Sequence, residues 1–154
     1  MIGFRSICDG LAARFAAATM GTPSGAPAIQ RTYGARPTSL PALPAVYVAP
    51  TQGSVVAASD HWRHEMDLDA VLVLSKSPGD PATLDLWREL YLPYMLAATE
   101  GQVKLGLGAQ TGWEVAKALP TGWDWDEPVI DADKFDGIRV HFRVWVNETV
   151  SLVP

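Results

Sequence analysis

The chain has a single cysteine, Cys8, among its 154 residues, so an intrachain disulfide and a zinc site built from several cysteines are both excluded. Long apolar runs are missing too. The longest, Leu90 to Ala98, is nine residues and contains Pro93, whereas a membrane-crossing helix needs about 20. Charge is sparse, at 19% of residues, and Lys+Arg 12 against Asp+Glu 17 gives a net charge of −5. That balance is wrong for a protein that grips nucleic acid by neutralising phosphates. Near the start, Asp9 and Arg14 interrupt the apolar stretch that a secretory signal requires. These features predict a soluble chain, made and kept in a reducing cytoplasm, with no membrane contact.

Several chemical signatures are also lacking. There is no G-x-S-x-G and no P-loop, and Gly106, Gly108 and Gly112 fall one residue off the dinucleotide fingerprint, without an apolar strand before them. His61 and His64, three apart, would share a face on a helix, but on a strand their rings point to opposite sides, and the order of residues fits neither common zinc-protease motif. No cofactor or metal is expected.

What the chain does have is apolar content, 48% of residues. Area scaling for this mass gives a folded surface of about 7,600 Å² out of about 24,000 Å² unfolded, enough burial for one domain spanning 1–154. Phe4, Ile7 with Cys8, Leu11 and Phe15 form a helical stripe, stopped by Gly21 and Pro23. Residues 21–50 hold six of the twelve prolines and predict an extended segment, with a short strand over Ala28–Tyr33 and another over Ala45–Ala49. Strict alternation predicts a strand from His61 to Leu74 and a last strand around Ile138–Asn147. Asp80-Pro81 marks a helix start, and Pro93 a break or kink. Trp113–Leu119 reads as a strand, followed by a turn at Pro120-Thr121-Gly122 and a loop carrying WDWDEP, with one further turn of helix within Val103–Leu107. This order predicts an α+β fold: a small, mostly antiparallel sheet with the N-terminal and central helices on one face and an extended proline-rich arm.

Two clusters invite functional readings. His141 falls on the polar side of the last strand, where Asp67 or Asp69 could face it as an acid/base pair or as a cross-strand ion pair. Trp123 and Trp125 beside Asp124, Asp126 and Glu127 fit a sugar platform, anchors in a protein interface, or a corner folded back on the body. The strands carry a third signal. Val71, Val73 and Trp145 make both faces apolar over part of their length, and one helical layer covers one face only. Either the proline-rich arm or a neighbouring subunit must cover the other.

The arrangement as a whole resembles the tail terminator proteins of long-tailed bacteriophages. The similar features are the N-terminal helix, the arm RTYGARPTSLPALPAVYVAP, the strand HWRHEMDLDAVLVLS, the capped helix from Asp80, the break from Pro93-Tyr94 to Glu100-Gly101, and the closing strand IRVHFRVWVN. The resemblance implies a non-enzymatic virion protein at the tail–neck junction. It would form a homohexameric ring that caps the tail tube, ends its polymerisation and presents a surface to a head-neck connector or closure protein. DNA would pass through the ring without specific binding, and an acidic lining would let it slide. On this reading Val71, Val73, Trp145, Trp123 and Trp125 are expected at contacts between subunits or rings, and Asp124, Asp126 and Glu127 at the lumen or in charged contacts. Another neck ring protein, such as a head-closure protein or connector, is the neighbouring reading. A small carbohydrate-binding module or hydrolase is the alternative of a different class.

Overall fold

The computed structural model describes residues 2–57 and 60–149. Its elements run α1 (Phe4–Arg14), α2 (Ala17–Met20), β1 (Arg31–Tyr33), β2 (Ala45–Ala57), β3 (His61–Lys76), α3 (Pro81–Leu96), β4 (Trp113–Asp126), β5 (Val129–Ile130) and β6 (Asp133–Thr149). The fold is α+β. Its strands are ordered β1-β2-β3-β6-β4, with β5 added to the start of β6. Only β1 runs parallel to its neighbour β2; the other pairings are antiparallel.

Alternation in β3 and β6 gives the sheet its two faces. Met66, Leu68, Ala70, Leu72 and Leu74 of β3 and Ile138, Val140, Phe142, Val144 and Val146 of β6 are buried on one side, against Ile7, Leu11 and Phe15 of the α1 segment and Leu84, Tyr91 and Met95 of α3. Phe15 meets Phe142 edge-on at 6.1 Å. The two helical segments are tied by the Tyr94 hydroxyl, which donates to the carbonyls of Phe15 and Gly21, and by Arg14 Nε, which donates to the Ala98 carbonyl. Burial pushes the Tyr91 phenol up to about 12.

Asp80 caps α3 as expected, its carboxylate accepting from the Thr83 N–H at 3.0 Å with Pro81 at the first helical position. Four expectations need correcting. Pro93 does not break α3, which continues to Leu96; only one intrahelical bond is forfeited, and packing on β6 keeps the segment helical. Residues 103–106 form turns and no helix. Pro120-Thr121-Gly122 is no hairpin turn: β4 runs straight through to Asp126, absorbing Pro120 at a bulge because it lies on an edge strand. The strand starting at Ala45 does not end at Pro50. It bulges between Pro50 and Gln52 and continues to Ala57 along β3.

Among the described residues, the other face of the sheet is covered at one end. There Tyr47, Val71, Val73, Ile130 and Phe135 form a second small core, packed over by Tyr33, Leu40 and Leu43. Leu40 and Leu43 belong to the proline-rich arm, which Arg36 pins by donating to the Val129 carbonyl. Of the two covers that the sequence allowed for Val71 and Val73, the arm is the one observed.

Strand β6 comes close to β3 at Gly137, where an added Cβ would collide with the Leu72 carbonyl oxygen. Backbone cannot yield as a side-chain tip can. Gly137→Ala should therefore cost about 1–3 kcal/mol, measured as a lower denaturant midpoint at unchanged slope. Removing the helix cap with Asp80→Ala should cost about 1 kcal/mol in the same assay.

Candidate functional site

Beyond the second small core, the outer face of the sheet is polar, and its charges are arranged across the strands. His141 on β6 stands between Asp69 of β3 and Asp124 of β4. When protonated it donates from Nδ1 to Asp69 at 2.6 Å and from Nε2 to Asp124 at 2.9 Å. One residue pair along, Arg139 donates to Asp126 at 2.9 Å and lies 3.7 Å from Asp69. On the other side, Arg143 donates to Asp67 at 2.9 Å, and the Gln52 amide of β2 donates to the same carboxylate. The Arg143 and Gln52 hydrogen bonds hold the Asp67 carboxyl below its ordinary range. The ladder ends at Trp145, whose indole donates to Glu65 at 3.2 Å while the Lys117 ammonium lies over its ring at 4.5 Å.

The His141–Asp69 pair expected from the sequence is present, as a cross-strand ion pair in which the imidazole meets a second carboxylate, Asp124. A neutral imidazole has one donor, and two carboxylates ask for two. The hydrogen bond to Asp69, followed by that to Asp124, therefore raises the His141 pKa despite partial desolvation. The nearby hydroxyls are also engaged, Thr51 donating to the Asp67 carbonyl and Thr121 to the His141 carbonyl. Cys8 lies on the other side of the sheet in the main core, where burial pushes its thiol up, away from the reactive thiolate. This face is a cross-strand electrostatic ladder beside an open cleft of about 420 Å³.

The acidic residues singled out from the sequence are each matched within the chain: Asp124 by His141, Asp126 by Arg139, and Glu127 by Lys134 at 2.7 Å. Val71 and Val73 are covered by the chain itself, and Trp145 is half-buried on the ladder. Trp123 and Trp125 differ from these. They lie on β4, not on a loop, opposite Val140 and Ile138 and so on the helical face. Both are nearly half exposed, their ring centroids are 4.8 Å apart, and the Arg88 guanidinium of α3 covers Trp125 at 5.2 Å.

A second apolar surface was not legible in the sequence. Strand β1 pairs with β2 only as far as Tyr47; among the described residues, no strand continues along that edge. Residues Thr51–Ala57 are exposed throughout. On the helical face, Phe4, Pro50, Val55, His64 and Met66 line an open cavity of about 500 Å³. Phe4, assigned to the buried stripe by its spacing, is 51% exposed here because α1 begins beside this uncovered part of β2. The segment TQGSVVA gave no strand signal strong enough to extend Ala45–Ala49, since Pro50 and Gly53 both depress strand propensity. His64 and His61 diverge as strand parity requires, His64 bonding Glu148 at 2.8 Å and His61 bonding Asp60 at 2.6 Å.

A histidine whose pKa rises on folding contributes stability that is complete below its unfolded value of about 6.5 and fades as pH climbs through the folded one. Thermal stability should therefore decline as pH rises past about 6.5 and through the folded value, by less than about 1 kcal/mol because solvent screens this open face. His141→Gln should remove that slope, as read in melting curves across the range. No protein-family model matches the chain, and no curated protein sequence matches it.

Proposed function

We propose that this chain is a structural virion protein, a tail terminator of a long-tailed phage. Copies would close into a ring on the end of the tail tube, stop its growth and offer a surface to the head-neck connector or closure protein. The observation that carries the reading is that one sheet bears exposed apolar surface at both edges: Phe4, Val55 and Trp62 beside β2, and Trp123 and Trp125 on β4. A patch at one edge and a different patch at the other suit a heterologous contact, the kind that closes rings. The engagement of His141 by two carboxylates supports a structural reading over a hydrolytic one.

The support has shifted from where the sequence placed it. Val71 and Val73 are buried under the chain's own arm, so the need for a neighbour rests on the edges. Asp124, Asp126 and Glu127 face cations of the same chain, so passage of DNA through the ring is argued from the overall charge of −5.

The test is to add the purified chain to polymerising tail-tube protein from the same source and to measure tube length by negative-stain microscopy. Tubes should stop short, with added protein at one end, and particles lacking the chain should carry overlong tails. Unchanged tube length with no binding at tube ends would overturn the proposal. Finished tails beside DNA-leaking heads would instead identify a head-closure role.

A further inference from the structure

We propose that Trp123 and Trp125 of one copy seat in the apolar cavity beside β2 of a second copy, head to tail. The resulting pair still has one free cavity, on the first copy, and one free indole pair, on the second, for further neighbours. The inference rests on the ring-forming reading above and supplies it with its contact.

The two surfaces have complementary shape and chemistry. The cavity holds about 500 Å³ and its lining contains no Asp, Glu, Lys or Arg, which places it among hollows that take large aromatic groups. The indoles stand out from the opposite edge strand, braced by Arg88, so little side-chain freedom is lost when they dock.

A second copy is the occupant because of where the parts lie. Trp123 and Trp125 are level with Ala70 and Leu72 of β3, whereas the cavity is level with His64 and Met66. That is six residues along the strands and three strands across, roughly 25 Å at ordinary strand spacings, too far for the pair to reach its own chain's cavity. Both surfaces are on the helical face. Copies kept the same side up, and displaced obliquely along and across the strands, bring the indoles of one to the cavity of the next. The two edges also differ in their protection. Strand β4 carries two bulges, Pro120 and Lys117, devices that stop strand-to-strand pairing, so side chains and not backbone ladders make this contact. A foreign partner would have to supply the same aromatic pair that the chain already displays.

Complementation tests the contact. A plug-dead variant (Trp123→Glu with Trp125→Glu) keeps its cavity, and a cavity-dead variant (Val55→Glu) keeps its indoles. All three substituted residues are about half exposed, so melting temperatures near wild type should confirm folding; Trp123→Ser with Trp125→Ser, and Phe4→Glu, serve as substitutes. By sedimentation equilibrium of the full chain, wild type should exceed dimer mass and each variant alone should stay at 16.6 kDa. An equimolar mixture should show twice that mass and no more, because one working plug and one working cavity remain. A mixture that stays monomeric, or a plug-dead variant that assembles like wild type, overturns the contact. If wild type shortens tubes while the mixture stays monomeric, the contact is wrong and the terminator reading stands. If the mixture dimerises while wild type leaves tube length unchanged, the contact stands and the terminator reading falls.

Discussion

Strands β3 and β6 pair antiparallel from His61 opposite Thr149 to Lys76 opposite Phe135, interrupted by one bulge near Val73, and almost everything else is arranged around that pairing. Because side chains alternate strictly, a slip of one residue would exchange the two faces and turn Phe142 and Leu68 out to solvent. The cross-strand ion pairs hold the same register, since Asp67 meets Arg143 and Asp69 meets His141 only in this alignment. Hydrophobic burial on one face and charge pairing on the other thus specify one solution twice over.

The outer face joins charged side chains across three strands. Asp124, His141, Asp69, Arg139 and Asp126 form a chain of alternating charge across three strands. Each cation lies between carboxylates, so its proton is held in place. The ladder's sensitivity to pH lies with His141, whose pKa its two carboxylate partners raise above the ordinary imidazole value.

Coverage of the sheet is uneven in an informative way. The helices cover one face through the middle, and the proline-rich arm covers the Val71–Val73 end of the other. The outer half of β2 and the far end of β4 are left with apolar side chains in solvent. Contiguous apolar surface at two separate edges is expensive to leave in water, and a partner that fits both recovers that cost.

Local chemistry made much of this readable in advance. Alternation from Trp62 to Leu74 and from Ile138 to Val146 fixed two strands and their faces, Asp80-Pro81 fixed a helix start, and the Phe4–Phe15 spacing fixed a helix. Parity put His141 on the polar side with Asp67 and Asp69, and the register of β3 against β6 decided that Asp69 is its partner. The exceptions depended on neighbours distant in the chain. Pro93 stays within a helix because β6 holds it, and β4 passes Pro120 because an edge strand can spare the N–H. The segment Thr51–Ala57 extends because β3 offers a ladder. Val71 and Val73 are shielded by Leu40 and Leu43, whose return across the sheet no local pattern encodes. Periodicity is written into each segment by the geometry of its own backbone, whereas which surfaces are covered and which stay open depends on how distant segments pack, and only the tertiary structure decides that.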